Sequence, residues 1–473
     1  MVDLRKIVSN FGFLLQVAGL LLILPIAIGL QNAELQPVAS LIATCFLSFA
    51  LGFVLNSFCE RKELDEKTSL WLMIINFTVL PLVLMIPYIW NNVFASGNPF
   101  DLITNAYFET VSGFTTTGFT FITSPESLPI SLLFYRSLVE FIGGIGFIYI
   151  LVAFLHPNHD LGAYAEAFGI AKLGDNLKKV FLTVLLVYTL LVVIFTAIFY
   201  FLYPPPNLII ASCTAIDVLT GGYQPNTTPG ISIFHVSVLI LMLLGSFNFK
   251  FHYSVFRLKV RDILTREVKL YLEIIAGATV LMAILAWINP FDSLFHVVTM
   301  LSSTGMDYIN VGATPAPARI AFIILGLIGG CTFSMAGGIR IERIQTLIDA
   351  IRKKDNKPDR EELKAALINV IGLLLLLFVF SAVFSTIGIS FLDSVFEISS
   401  ALTTNGISMG ITTVEIAVSY KWLLILAMLI GRIEILVILK AIGGRSILSA
   451  TKRFLSGLAK KKSGRPSYTI STP

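Results

Sequence analysis

Apolar segments about as long as a membrane is thick are the feature that most constrains the fold of this 473-residue chain. A helix needs about 20 consecutive, mainly apolar residues to cross a hydrocarbon core of ~30 Å. Only 13% of the residues are charged, against about 25% in an ordinary soluble domain. This deficit excludes a soluble enzyme, a disordered chain and a nucleic-acid-binding domain. It indicates an all-α integral membrane protein with many spans.

Ten segments are predicted to be transmembrane helices, and the basic residues predict their orientation. Lys and Arg are retained on the cytoplasmic side of a membrane. With the N-terminus inside, they are concentrated on that side, and both termini are predicted to be cytoplasmic. The predicted helices lie at 11–31, 39–59, 68–90, 131–155, 179–203, 231–250, 268–289, 318–340, 366–389 and 421–442. The outer segments that contain no Lys or Arg are 99–130, 204–230, 290–316 and 391–420.

These four outer segments share a pattern, in which a short apolar stretch is followed by residues rich in Gly and Thr. The first contains FETVSGFTTTGFT from Phe108 to Thr120, and the fourth contains FEISSALTTNGIS from Phe396 to Ser408. Aligned without gaps, the two share Phe, Glu, Ser, Thr, Thr and Gly, whereas the second and third segments match less well. Apolar stretches too short to span predict re-entrant half-helices. Irregular backbone at membrane depth survives only where protein or water satisfies it.

The repeated pattern predicts the organisation of the chain. Four copies of a helix, pore loop and helix unit predict pseudo-fourfold symmetry around a central pore. The predicted parts are two additional N-terminal membrane helices at 1–66, pore repeats at 67–160, 161–258, 259–358 and 359–445, and a basic cytoplasmic tail at 446–473.

Converging loops of this kind could supply the oxygen ligands that a dehydrated monovalent cation needs. Glycine permits positive φ, so that carbonyl groups can face a common axis, and a neighbouring Thr adds a hydroxyl and stiffens the loop. A single Gly-Thr cluster is more often an ordinary turn, but four copies on one side of the membrane weaken that alternative. The predicted ion ligands are Thr116, Thr117, Gly118, Thr220, Gly221, Gly222, Ser303, Thr304, Gly305, Thr404, Asn405 and Gly406.

The eighth predicted helix contains a glycine-rich interruption at 329–338. We interpret it as an intramembrane loop below the ion site that blocks the pore until it moves. The alternative is a close helix–helix crossing through small residues. The predicted gate residues in this loop are Gly330, Thr332, Ser334, Gly337 and Gly338.

The four-repeat pattern, the TTTGFT motif at 115–120 and the ten predicted helices resemble the TrkH/KtrB/HKT superfamily of potassium transporters. The two additional N-terminal helices are more like TrkH than KtrB. The resemblance implies potassium coordination by the four loops, one pore per subunit, homodimerisation and a gating loop in the third repeat. In this superfamily, glycine at the filter position of all four repeats accompanies potassium selectivity, whereas serine in the first repeat accompanies sodium.

The same resemblance implies that Arg432 is an electrostatic barrier near the gate. The alternative is a salt bridge, either with Glu434 or between helices, since intramembrane charges usually face a partner or a cavity. The resemblance also implies a ring of cytoplasmic TrkA-like subunits that bind nucleotide. The basic run 340–364 is a candidate docking surface for them, but lipid headgroups would suit it equally.

The predicted function is therefore potassium uptake through a channel-like pore in the cell membrane, with K⁺ as the transported ligand and no organic cofactor. A sodium- or proton-coupled symporter is the alternative, although no intramembrane acid relay is evident in the sequence. An intramembrane enzyme would require paired catalytic groups, and the sequence contains no such motif. A non-conducting scaffold would leave the four loops unexplained.

Overall fold

The fold is known from a computed structural model, in which the described residues form helices and connecting loops without a strand. The described residues are 3–57, 66–95, 98–154, 177–202, 207–223, 233–256, 263–286, 288–332, 334–352, 358 and 360–442. The predicted cytoplasmic tail at 446–473 lies outside them.

The helices are numbered in chain order. They are α1 (Leu4–Leu21), α2 (Ile23–Gln31), α3 (Leu35–Ser57), α4 (Glu66–Leu84), α5 (Ile86–Trp90), α6 (Pro99–Phe114), α7 (Ile130–Phe154), α8 (Leu177–Leu202), α9 (Leu208–Thr220), α10 (Ile233–Ser246), α11 (Phe249–Phe256), α12 (Arg266–Ala286), α13 (Pro290–Ser302), α14 (Ala316–Ile328), α15 (Ile341–Arg352), α16 (Arg360–Phe384), α17 (Phe391–Leu402), α18 (Val418–Ile433) and α19 (Ile435–Ile442).

Several of these helices are long and apolar enough to cross a membrane. Within the described ranges there are 6, or up to 7 if the bent pair α18 and α19 counts as one span. The prediction of an all-helical membrane protein is therefore confirmed, and the number of ten spans stays a prediction. The 6 helical segments are Leu4–Gln31, Leu35–Ser57, Lys67–Trp90, Thr183–Leu202, Arg266–Ala286 and Glu362–Ile387.

Four shorter helices, α6, α9, α13 and α17, occupy the outer segments that lack basic residues. They contain 16, 13, 13 and 12 residues, which at ~1.5 Å per residue is too short for a ~30 Å core. Each begins with an Asn or Ser whose side-chain oxygen accepts a hydrogen bond from a backbone amide of the first turn. Each ends in a buried loop that contains one of the repeated glycines. These capping residues are Asn98, Asn207, Asn289 and Ser390.

Two of the predicted transmembrane helices, the eighth and the last, are broken. The predicted interruption of the eighth helix is present, because α14 ends at Ile328 and α15 begins only at Ile341. The last predicted helix, 421–442, is in contrast not continuous. It bends by 86° between α18 and α19 at Glu434, whose φ of +68° lies in the left-handed region. The prediction of a continuous helix over 421–442 does not hold at this residue, whose carboxylate pairs with Arg340 and Arg343 of another segment.

The first helices pack closely through small residues. A Cβ added to Gly12 in α1 would lie 2.8 Å from the carbonyl oxygen of Gly52 in α3, and a Cβ on Gly52 would lie 2.5 Å from the carbonyl oxygen of Gly12. Small residues let membrane helices approach backbone to backbone. The close contact between α1 and α3 therefore requires a residue without a side chain, glycine, at both positions.

We predict that Gly52→Ala destabilises the protein by about 1–3 kcal/mol, because the helices must separate. Gly277→Ala in α12 is the matched control, since its Cβ would have nothing within 4 Å. It should be neutral or stabilising by up to ~1 kcal/mol, because alanine favours the helix. Thermal unfolding of both variants in detergent measures the difference. Equal unfolding temperatures would contradict the proposed packing.

Candidate functional site

The four glycine-containing loops meet one another. Their glycines all have φ between +71° and +90°, which side-chain-bearing residues rarely adopt. A Cβ on any of these glycines would approach or overlap the carbonyl oxygen of the residue before the glycine in the next loop. The contacts run around a closed cycle from the first loop to the fourth and back to the first. The pairs are Gly118 with Gly221, Gly222 with Thr304, Gly305 with Asn405 and Gly406 with Thr117.

The residues immediately before these glycines form hydrogen bonds through their side chains where they have one. The Asn405 amide donates to the carbonyl of Met300 in α13, at 2.8 Å, and the Thr304 hydroxyl donates to the carbonyl of Val218 in α9, at 3.3 Å. The Thr117 hydroxyl lies 2.7 Å from the hydroxyl of Thr115. Side chains thus anchor the loops to the half-helices, while the backbone carbonyl oxygens lie at the contacts between loops.

The residues two positions before the glycines also share a conformation in three of the loops. Thr116, Ser303 and Thr404 are buried and have φ between +51° and +55°. Within the described residues, the hydroxyls of Thr116 and Thr404 have no hydrogen-bond partner. These two hydroxyls are therefore free to interact with a ligand.

The second loop differs from the other three. Thr220 is still helical, and its hydroxyl donates to the carbonyl of Ile216 at 2.8 Å. The following Gly221 is extended, with φ of 173°. The weaker sequence match of this segment therefore corresponds to a different backbone path.

A buried glutamate braces the first loop. Glu109 in α6 accepts hydrogen bonds from the backbone amide of Phe121 at 3.0 Å and from the hydroxyl of Thr120 at 2.8 Å. Arg136 in α7 forms an ion pair with the same carboxylate at 3.0 Å. Both charged side chains are at most 2% exposed, so each provides the other with the partner that a buried charge requires.

The fourth loop has the same brace, whereas the second does not. Glu397 in α17 accepts from the amide of Met409 at 3.0 Å and from the hydroxyl of Ser408 at 2.6 Å. At the end of α9, the backbone carbonyl of Asp217 accepts hydrogen bonds from the amides of Gly221 and Gly222, at 2.9 Å and 2.6 Å. The second loop is therefore held to its half-helix by backbone hydrogen bonds.

Basic side chains near the start of the following helices link each unit to the next. Arg136 forms an ion pair with Glu109, and Arg319 forms one with Asp393. Lys421 donates a hydrogen bond to Asn105. The links between units are Arg136 over the ring of Tyr223 at 3.8 Å, His235 against Tyr308 at 4.9 Å, Arg319 to Asp393 at 2.5 Å and Lys421 to Asn105 at 2.7 Å. They run in the same direction as the glycine contacts.

The segment between α14 and α15 lies against the loops. The amide of Gly337 donates to the hydroxyl of Ser303 at 3.0 Å, and a Cβ on Gly337 would overlap the carbonyl oxygen of Thr403. A Cβ on Gly330 would lie 3.3 Å from the carbonyl oxygen of Leu301. Gly338 has φ of +82°. Of the predicted gate glycines, Gly330 and Gly337 thus lie against the third and fourth loops or the helix ends that lead into them, whereas Gly338 packs against Gly326 and Gly329.

Hydrogen bonds hold the rest of this segment to its neighbours. The amide of Cys331 donates to the carbonyl of Ser246 at 3.1 Å, and the amide of Thr332 donates to Glu267 in α12 at 2.6 Å. The Ser334 hydroxyl bonds within the segment, to the Cys331 carbonyl at 2.6 Å. The segment is therefore an ordered loop with specific contacts.

Arg432 reaches the same segment from α18. Its guanidinium donates to the carbonyl of Met335 at 3.1 Å. Glu434 forms ion pairs with Arg340 at 3.1 Å and with Arg343 at 2.5 Å. The alternative of a salt bridge between helices, which the sequence left open, therefore applies to Glu434. Ion pairs therefore connect the break between α14 and α15 with the break between α18 and α19.

Sequence analysis missed a second set of glycines, which lie 12 or 13 residues after the first residue of α7, α10 and α18. A Cβ on Gly143 or Gly431 would overlap the last carbonyls of the preceding half-helices, at Phe114 and Leu402. A Cβ on Gly245 would lie 2.8 Å from the carbonyl oxygen of Leu219. Alignment of the segments that follow the four loops would have indicated them.

Comparison with known proteins gives consistent matches over most of the chain. A family model described as a cation transport protein, TrkH, matches residues 43–205 and 276–442. An uncharacterised cation transporter of Methanocaldococcus jannaschii is 28% identical over 478 residues, covering 92% of this chain and 95% of the relative. The Trk system potassium uptake protein TrkH of Salmonella typhimurium is 26% identical over 448 residues, covering 84% and 89%.

The fold is also similar to that of a solved structure. The crystal structure of the potassium transporter TrkH from Vibrio parahaemolyticus matches with a TM-score of 0.82 and 20% identity, covering 94% of this chain and 100% of that one. The family model covers more than half of the residues, and the expectation of a transport protein rather than an enzyme is confirmed. The chain belongs to the TrkH family of cation transport proteins.

Proposed function

We propose that this protein takes up potassium through a selective pore formed by the four re-entrant loops, Thr115–Thr120, Thr220–Tyr223, Ser303–Met306 and Thr403–Ser408. The observation that carries the proposal is the closed cycle of loop contacts, in which each glycine lies against the carbonyl of the next loop. Loops that follow one another in a ring enclose a common axis. The proposal extends to pseudo-fourfold symmetry of the chain around that axis.

The chemistry of such a ring favours a dehydrated monovalent cation. Backbone carbonyl oxygens replace the water that the ion loses. The half-helices α6, α9, α13 and α17 end at the loops, so that the partial negative charge of their C-termini lies close to the ion. The proposed ligands are the backbone oxygens of the predicted residues, together with the hydroxyls of Thr116 and Thr404, which have no hydrogen-bond partner among the described residues.

The relatives favour potassium over other cations. Several of those that match are Trk system potassium uptake proteins, from Salmonella typhimurium and Escherichia coli. A sodium- or proton-coupled symporter remains the second candidate, because buried acidic side chains lie close to the second loop. Flux that follows the K⁺ gradient alone supports a channel-like mechanism, and flux that requires a Na⁺ or H⁺ gradient supports the symporter.

We predict that Gly118→Ser lowers potassium selectivity over sodium by about tenfold, equivalent to a loss of ~1.4 kcal/mol in discrimination. The added side chain would meet the Gly221 carbonyl oxygen at 2.5 Å and widen or distort the ring. The measurements are growth of potassium-uptake-deficient cells and ⁸⁶Rb⁺ uptake with increasing Na⁺.

Gly388→Ser is the matched control for this variant. Gly388 has a φ of +91°, but a Cβ there would have nothing within 4 Å. It therefore carries the same backbone strain without the contact between loops. Equal selectivity of the two variants would contradict the proposed ring.

We further propose that the segment 329–340 is the gate and that Arg432 holds it closed. A mobile plug must lie against the ion path, and the Gly337 amide bonds to Ser303 in the third loop. Arg432 adds a positive charge and a hydrogen bond to Met335 at 3.1 Å. Both features oppose the passage of a cation until the segment moves.

We predict that Arg432→Ala raises K⁺ flux about tenfold, since a hydrogen bond from a charged donor contributes ~1.5–3 kcal/mol. Arg432→Gln keeps a donor without the charge and should fall between the wild type and Ala. Arg5→Ala, at the exposed start of α1, is the control and should not change flux. ⁸⁶Rb⁺ uptake into proteoliposomes measures all three. An Arg432→Ala variant that is folded and conducts at the wild-type rate would remove Arg432 from the gate.

The proposed setting is the cell membrane, with both termini in the cytoplasm, in a homodimer with one pore per subunit. We propose that a TrkA-like ring of nucleotide-binding subunits docks on the basic surface that includes α15 and controls the gate. The support for this docking site is its position, because α15 directly follows the segment 329–340 and carries Arg343, which pairs with Glu434.

A further inference from the structure

One carboxylate at the start of α12 contacts two other parts of the chain. Oε1 of Glu267 accepts a hydrogen bond from the backbone amide of Thr332 at 2.6 Å. Oε2 of the same side chain accepts one from Nδ2 of Asn248 at 2.5 Å. Thr332 and Asn248 are 5% and 8% exposed, so both donors are buried and require a partner. Glu267 therefore joins α12, the segment 329–340 and the connection between α10 and α11.

The side chain of Asn248 is held in place from its other end. Its Oδ1 accepts a hydrogen bond from the backbone amide of Phe251 at 2.9 Å. Asn248 immediately precedes α11, and an asparagine in this position caps a helix. The oxygen of the Asn248 amide is thus bound to α11, and its nitrogen is directed at Glu267.

The segment 329–340 depends on such contacts for its position. It contains four glycines, at 329, 330, 337 and 338, and glycine loses more conformational freedom on folding than any other residue. The amides of Cys331 and Met335 donate to backbone carbonyls at the end of α10, at 3.1 Å and 3.2 Å. Between them, the Thr332 amide donates to a side chain, Glu267. A substitution at Glu267 can therefore remove one contact of the segment and leave the backbone contacts in place.

We propose that Glu267 is a positioning residue that clamps the segment 329–340 in its closed position, and that Asn248 aligns the Glu267 carboxylate. This inference rests on the proposed function of the segment as a gate. A contact that is made in only one of two states shifts the equilibrium toward that state. Loss of the clamp therefore increases the open fraction and the ion flux.

A role confined to α12 is the alternative for Glu267. The residue lies in the first turn of α12, where an acidic side chain stabilises a helix through the helix dipole. That role requires a negative charge at position 267 and does not involve Asn248. The clamp requires an acceptor for Thr332 and a partner for Asn248, so the two roles can be separated by substitution.

The first test replaces each partner alone in the full-length protein. Glu267→Gln keeps an oxygen for the Thr332 amide but directs an NH₂ group at Nδ2 of Asn248, so that two donors face each other. Asn248→Asp keeps the cap of α11 but places a second carboxylate against Glu267. We expect each variant to raise ⁸⁶Rb⁺ uptake into proteoliposomes about tenfold, since hydrogen bonds to a charged group are among the stronger ones.

The second test exchanges the two groups. When Glu267→Gln is combined with Asn248→Asp, the amide at position 267 accepts from Thr332 and donates to the carboxylate at position 248. Every hydrogen bond of the clamp is restored, whereas the charge in the first turn of α12 is not. We expect the uptake of the double variant to return to within about twofold of the wild type, because the two sites act as one unit.

The matched control is Glu273→Gln, at an exposed glutamate of the same helix. It removes an acidic charge from α12 without altering the clamp and should conduct like the wild type. Uptake by the double variant that equals or exceeds that of the single variants would overturn the proposal and assign Glu267 to α12 alone.

Hydrogen exchange of the purified protein separates this inference from the proposed function. In the single variants, the backbone amides around Thr332 should exchange about tenfold faster than in the wild type, and the double variant should restore the slow exchange. Faster exchange without a change in ion flux would leave the clamp standing and contradict the gate. Unchanged exchange in both single variants would overturn the clamp.

Discussion

The contact between a glycine and the carbonyl group of a neighbouring loop is the interaction on which the rest of the structure depends. Four such contacts follow one another in a cycle, and each leaves no room for a side chain. Carbonyl groups at membrane depth require a partner, since lipid offers none. In this protein the loops bring the carbonyls of different segments together, and a cation on their common axis is the partner that we propose.

The surrounding helices hold this irregular backbone in place. Glu109 and Glu397 accept hydrogen bonds from loop amides, and the side chains of Asn405 and Thr304 anchor the loops to the preceding half-helices. A second set of links joins the same segments through side chains, beginning with Arg136 over Tyr223 and ending with Lys421 bonded to Asn105. The glycine contacts and these side-chain links each join one unit to the next in the same order around the cycle. Displacement of one loop would therefore be transmitted to the next loop.

The sequence predicted the parts better than their arrangement. The lengths of the apolar stretches predicted the half-helices, since α6 and α17 are too short to span, and the run of glycines predicted the break after Ile328. The bend at Glu434 was not predicted, and the residues that pair with its carboxylate there, Arg340 and Arg343, are distant in the sequence. The only sign in the sequence of the extended backbone at Gly221 was the weaker match of the second outer segment to the first and fourth.

The central claim is that the four loops bind a dehydrated alkali-metal ion on their common axis. Crystals grown with Tl⁺ in place of K⁺ test it directly by anomalous scattering. The account predicts a peak within ligand distance of the carbonyl oxygens of Thr117, Gly221, Thr304 and Asn405, which weakens when K⁺ is added in competition and persists when Na⁺ is added instead. Crystals of transport-competent protein in which Tl⁺ binds elsewhere, with no peak among these oxygens, would contradict it.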